Sequence, residues 1–294
     1  MNNWLIFASG AAVFAALTTI LAKIGLKNVD SHLATAIRTM VVLVFAWLMV
    51  FIVGSQHEVW TASSRTWLFL ILSGLAAGGS WLCFFRALKL GNVNKVSPLK
   101  KSSTILTMLL AFIILQEPIG IPMLIGMLLI GLGTWLMMGT KKKQPDNESK
   151  NTGWLFFALL AAVFAALTAI LGRIGIAEIE ANLGTAIRTM AIVPISWLMV
   201  LLTNKKGQKR IRAIDRKSWL FLILSGVATG ASWLFFFRAL QLGNASLVVP
   251  VDKLSIVLTM AFARIFLGER FTKRSLIGLA LLTIGTILPV VFYL

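Results

Sequence analysis

Residues 35–40 read TAIRTM, and residues 185–190 read TAIRTM again. An arginine held twice in one six-residue frame, inside strongly apolar sequence, marks a duplicated unit. Sliding the chain along itself extends the match in both directions. WLIFASGAAVFAALTTILAKIG at 4–25 returns as WLFFALLAAVFAALTAILGRIG at 154–175, and WLFLILSGLAAGGSWLCFFRALKLGN at 67–92 returns as WLFLILSGVATGASWLFFFRALQLGN at 219–244. The chain therefore divides into a first copy at 1–139, a basic polar linker at 140–153 and a second copy at 154–294. A cleavable leader is not expected, because MNNW carries no charged side chain ahead of the first apolar stretch and the same stretch recurs in mid-chain.

Hydrophobic residues make up 58% of the 294 positions, and the mean hydropathy is +0.89. A water-soluble core cannot hide that much apolar surface, and runs of about 20 apolar residues match the thickness of a bilayer when helical. Lipid offers no partner to a bare peptide group, so the runs are expected as helices. The fold class is all-α integral membrane. Five apolar segments fall in each copy, at about 4–25, 33–54, 66–90, 97–116 and 120–139, then at about 154–175, 183–203, 218–242, 249–267 and 274–293. Ten transmembrane helices are expected, and because five is odd the second copy enters from the opposite face, giving two inverted repeats.

Charge gives an independent test of that inversion. In the first copy the basic residues gather after helices 1 and 3 (Lys23, Lys27, Lys89, Lys95); in the second they gather after helices 2 and 4, in NKKGQKRIRAIDRK at 204–217 and at Arg270, Lys273 and Arg274. Opposite loop bias in two nearly identical units puts about 22 of the 28 Lys and Arg on one face, which the positive-inside rule makes cytoplasmic. The linker is then expected in the cytoplasm, both termini outside, and the chain in the plasma membrane. The net charge of +18 is explained by these loops, which touch anionic lipid headgroups, and no nucleic-acid partner is expected.

Little points to enzymatic chemistry. Cys83 is the lone cysteine, His32 and His57 belong to no metal-ligand spacing, and no phosphate-binding loop, dinucleotide fingerprint or catalytic triad is present. No cofactor or metal is expected.

The five-helix unit, its inverted copy and the phrases SWLFFFRALQLGNASLVVPVDKLS at 232–255 and FLGERFTKRSLIGLALLTIGT at 266–286 resemble the EamA branch of the drug/metabolite transporter superfamily. The resemblance implies a ten-helix secondary transporter with alternating access, in which the first four helices of each half surround a central cavity and the fifth lies at the periphery. It implies a small polar metabolite as cargo without fixing which. Two departures stand out. Better-known fused members have cytoplasmic termini, opposite to the charge count here, and Lys100 occupies the place that Asp252 holds in the second copy.

Ionisable residues within the spans are costly, and each is a candidate for binding or for packing. Arg38 and Arg188 sit one turn into the second helix of each copy; Arg86 and Arg238 close the third, after the aromatic run that contains Trp81 and Trp233. Lys100, Lys101, Asp252 and Lys253 follow Pro98 and Pro250 at the start of the fourth helices, where a broken backbone frees polar groups. Their excess of cations favours an anionic or zwitterionic solute. Asp252, the acid set deepest in the helices, is the candidate for proton coupling. Glu117 and Glu269 are expected at the interface as structural residues, and Gly126, Gly131 and Gly133, with Gly278 and Gly285, form a small-residue strip for close helix packing. The solute and the surrounding lipid are the partners expected, with the chain a monomer or homodimer. The rival readings are a flippase for a lipid-linked anionic headgroup and a non-transporting membrane scaffold or sensor.

Overall fold

A computed structural model describes residues 3–26, 29–90, 96, 99, 102–138, 153–203, 211, 214–267 and 271–293. Its elements are α1 (Asn3–Gly25), α2 (Ser31–Val53), α3 (Ser64–Leu90), α4 (Ser103–Leu115), α5 (Ile121–Met138), α6 (Gly153–Gly175), α7 (Ala181–Thr203), α8 (Arg216–Leu242), α9 (Ala245–Lys253), α10 (Ser255–Leu267) and α11 (Lys273–Tyr293). No strand occurs among the described residues. Eight candidate spans are long and apolar enough to cross a bilayer, α9 and α10 counting together as one, while α4 and α5 are shorter apolar helices. Within the expected segment at 97–116 an unbroken described helix runs only from Ser103, with Lys100 and Lys101 outside the described residues.

Small residues decide which helices meet. Ala8, Ala11, Ala12 and Ala16 form a buried face on α1, and their repeat mates Ala158, Ala161, Ala162 and Ala166 form the same face on α6. Each alanine face packs on the third helix of the other copy, α1 on α8 and α6 on α3. Four serine hydroxyls fix the register. Ser232 donates to the Ala11 carbonyl at 3.0 Å and Ser225 to the Thr18 carbonyl at 3.0 Å; their mates Ser80 and Ser73 donate to Ala161 at 2.8 Å and Thr168 at 2.7 Å. As α1 advances from 11 to 18, its partner retreats from 232 to 225, so the pair is antiparallel. The two copies interleave rather than sit side by side.

The fifth helices repeat the pattern with each other. A Cβ on Gly126 would meet the Gly285 carbonyl oxygen at 2.6 Å, and one on Gly133 would meet the Gly278 carbonyl oxygen at 2.5 Å. These four glycines let the backbones of α5 and α11 touch. Since 126 pairs with 285 and 133 with 278, repeat mates cross in opposite directions. Gly131 does not belong to this strip: it faces the Ile105 side chain on α4.

Helix starts are also duplicated. Asp30 accepts from the backbone of His32 at 3.0 Å and Leu33 at 3.2 Å, and its mate Glu180 accepts from Asn182 at 2.7 Å and Leu183 at 3.2 Å. Each carboxylate satisfies N–H groups that the first turn of a helix leaves open. Asp30→Ala is expected to cost about 1 kcal/mol of stability, measurable as an earlier unfolding midpoint in mixed micelles of rising SDS content.

The fourth helix of the second copy begins earlier than its proline suggests. Asn244 is extended, α9 starts at Ala245, and Pro250 lies inside it. Two tightened bonds, Leu254 N to the Val251 carbonyl at 3.0 Å and Val257 N to the Leu254 carbonyl at 2.9 Å, separate α9 from α10. The break falls immediately after Asp252 and Lys253, one turn later than the proline that lacks an N–H to offer Ser246.

Candidate functional site

Two cavities open near the centre of the bundle. The first, of about 440 Å³, is lined by Thr18, Thr19, Thr35, Arg38, Thr39, Trp81, Phe84, Phe85 and Thr229, among others. The second, of about 300 Å³, is lined by Ser80, Trp81, Ser103, Thr107, Thr168, Arg188, Phe236, Phe237, Asp252 and Lys253, among others. Ala15, Trp81, Ser232 and Trp233 line both. The cavities exchange under the repeat: Thr18, Arg38, Phe84, Phe85 and Ser232 of the first correspond to Thr168, Arg188, Phe236, Phe237 and Ser80 of the second, and Trp81 corresponds to Trp233. The two cavities are related by the repeat and share the paired tryptophans on their walls.

Each half holds one arginine on the second helix of its copy, where the third helix passes close by. A Cβ on Gly226 would meet the Arg38 carbonyl oxygen at 3.2 Å, and its mate Gly74 sits still closer to the Arg188 carbonyl. The surroundings of the two guanidinium groups differ. Arg188 is 2% exposed; its Nε donates to Ser73 Oγ at 3.3 Å, and its Cζ lies 4.3 Å from the Phe237 ring centre and 5.1 Å from that of Trp233. Arg38 is half-buried and donates through Nη2 to Thr229 Oγ1 at 2.8 Å, while its buried Nε has no acceptor among the described residues. The difference begins in sequence, because Thr229 stands where the first copy has Ala77. Neither arginine is ion-paired with an acid among the described residues.

The hydroxyl groups face the first cavity mainly as acceptors. Thr19, Thr35, Thr39, Thr229 and Ser232 each donate to a backbone carbonyl. Their protons are spent on helix backbone; the Thr229 oxygen already accepts from Arg38, and the lone pairs of the other four remain for a donor in the cavity.

Asp252 and Lys253 form an ion pair at 2.8 Å on the wall of the second cavity, with the carboxylate side chain 15% exposed and the lysine 40%. The pair cancels its own charge, so among the described residues lining that cavity Arg188 is left as the unbalanced cation. Arg86 is exposed and lines neither cavity. Arg238 bonds the side-chain oxygen of Gln241, whose amide in turn donates to the Ile176 carbonyl at 2.8 Å and the Ile179 carbonyl at 2.7 Å. The structure therefore brings together Arg38, Arg188, Trp81, Trp233, Asp252 and Lys253, and places Arg86 and Arg238 elsewhere.

Thr18, Thr229 and Ser232 have no place in the sequence reading of the site, although Thr18 and Ser232 carried a signal in their hydroxyl mates Thr168 and Ser80, which Thr229, aligned with Ala77, did not. Glu117 has a definite structural role. Its two oxygens accept from the N–H groups of Ala245 at 2.7 Å and Ser246 at 2.8 Å, so an acid of the first copy caps the broken helix of the second.

A family model described as the EamA-like transporter family matches residues 2–139 and, separately, residues 152–291. A protein of a Sinorhizobium species described as an uncharacterized transporter in the cobO 3' region is 45% identical over 139 residues, which is 47% of this chain and 97% of that protein. That relative thus has about the length of one copy. An uncharacterized protein of Methanocaldococcus jannaschii is 33% identical over 97 residues, or 33% of this chain and 71% of that protein. A solved structure titled only as the crystal structure of a protein superposes with a TM-score of 0.81 over 99% of this chain and 98% of its own, at 16% identity.

Proposed function

Since the chain belongs to the EamA-like transporter family and is a multi-pass membrane protein, we propose that it carries a small anionic or zwitterionic metabolite by alternating access between two inverted five-helix halves, 1–139 and 154–294. The observation that carries this reading is the pair of repeat-related cavities, each with one arginine that no acid among the described residues neutralises. A buried cation without a counter-ion is costly, and a solute anion supplies the missing charge. The antiparallel crossing of the repeat mates α5 and α11 supports inversion, and the reading takes the shorter apolar helices α4 and α5 as spans beside the eight candidates.

In this reading the basic loops lie in the cytoplasm of a plasma-membrane protein, the 140–153 linker with them, and both termini outside. Arg38 then stands toward the cytoplasm and Arg188 toward the exterior. The solute passes between them across Trp81 and Trp233, whose rings offer faces to an organic body. Asp252 is proposed as the group that exchanges a proton during the cycle, releasing Lys253 when neutral. Lys100 and Lys101, repeat mates of Asp252 and Lys253, are proposed to serve the first cavity.

Purified protein in proteoliposomes on a solid-supported membrane tests the reading with a panel of small carboxylates, amino acids, phosphate monoesters and organic cations. Currents or tracer uptake are expected with an anionic or zwitterionic solute. Arg38→Gln and Arg188→Gln, checked for a wild-type elution profile, are each expected to reduce transport about tenfold or more, the scale of one lost charge-assisted hydrogen bond. Transport of cations alone, or wild-type rates in both variants, would overturn it.

A further inference from the structure

Repeat symmetry predicts that the two arginines have equivalent surroundings, and the aromatic rings beside them break that symmetry. Phe237 lies over Arg188 at 4.3 Å. Its mate Phe85 lies instead against His32, ring centres 4.4 Å apart in an edge contact, and no aromatic ring among the described residues covers Arg38. The mate of His32 is Asn182, which offers Phe237 no corresponding ring. One copy thus holds its phenylalanine on the arginine, and the other holds it on a histidine two turns before the arginine.

A guanidinium group covered by an aromatic face has its electrostatic demand met in part by the ring, and it presents less surface to a solute. An uncovered one, with an Nε lacking an acceptor, retains that demand. The geometry points to Arg38 as the residue that docks the solute's oxyanion in this conformation, with Phe85 and Phe237 as reciprocal covers that offer one arginine at a time. The assignment rests on the carrier reading above and refines it to a single anion per half-cycle. When the halves exchange conformation, Phe85 leaves His32 for Arg38 and Phe237 uncovers Arg188. The hydroxyl acceptors beside Arg38 extend the ligand class: an oxyanion on a body that also carries hydrogen-bond donors.

Arginine labelling reads this out without knowledge of the solute. Full-length protein in lipid nanodiscs is treated with phenylglyoxal, and modification is followed at each arginine by peptide mass spectrometry, with exposed Arg86 as internal reference. Arg38 is expected to label about tenfold or more faster than Arg188, since a covered group reacts only from its minor uncovered population. Sodium acetate, as the simplest oxyanion, is expected to slow labelling at Arg38 and leave Arg86 unchanged. Phe237→Ala, with Phe237→Leu as the milder variant, is expected to raise labelling at Arg188 toward that of Arg38. Equal labelling in the wild type, no protection by acetate, or an unchanged Arg188 in both folded variants would each overturn the assignment. Asymmetric labelling without flux in proteoliposomes would sink the carrier reading alone; flux with equal labelling would sink only the covers.

Discussion

Glu117→Ala is expected to lower the stability of the purified protein by about 2–5 kcal/mol, because it strips the acceptors from two buried N–H groups at once. Ala245 and Ser246 are themselves buried, and the capping residue Asn244 supplies no side-chain bond of its own. Glu117→Gln keeps one acceptor oxygen and is expected to lose about half as much. Unfolding in micelles of rising SDS fraction reads both, and an alanine variant that unfolds at the wild-type midpoint would contradict the cap. The alanine variant is also expected to lose transport, since α9 carries Asp252 and Lys253 into the second cavity.

The second large effect belongs to the crossing of α5 and α11. Gly133→Leu is expected to cost about 3 kcal/mol or more. Its first carbon alone would lie 2.5 Å from the Gly278 carbonyl oxygen and 2.7 Å from the Leu282 nitrogen. Both are backbone atoms, which cannot swing aside as a side chain does. Gly131→Leu provides the control on the same helix, where the nearest obstacle is the flexible end of Ile105 at 3.2 Å; a cost within about 1 kcal/mol is expected. The same SDS titration distinguishes them. Equal behaviour of the two leucines would show that the crossing contributes nothing.

These two sites also mark how far sequence reasoning reached. The duplication, the helical class and the first-copy spans at 4–25 and 66–90 are legible because hydropathy and internal identity are properties of neighbouring residues. The glycine strip is legible as a strip, but sequence spacing does not say that Gly131 faces α4 while Gly133 faces α11. Glu117 reads as an ordinary acid before a proline, since its partners lie 128 and 129 residues away. Asn244, a favoured helix-start residue, gives no hint in sequence that its side chain leaves the cap to Glu117. The matched serines at 73 and 80, and at 225 and 232, did give a signal: polar groups kept one heptad apart in both copies. The difference between Arg38 and Arg188 was legible only in part: Ala77 against Thr229 and His32 against Asn182 stand in the sequence, but the ring positions that follow from them depend on packing.

The α5 and α11 contact has a consequence for chains of half this length. Each glycine face is complementary to the face produced by turning itself over, so the join would work equally well between two separate molecules of a single unit. Two such single-unit chains would need to meet in opposite senses to close the same seam. Fusing two units into one polypeptide removes that demand, and frees each half to specialise.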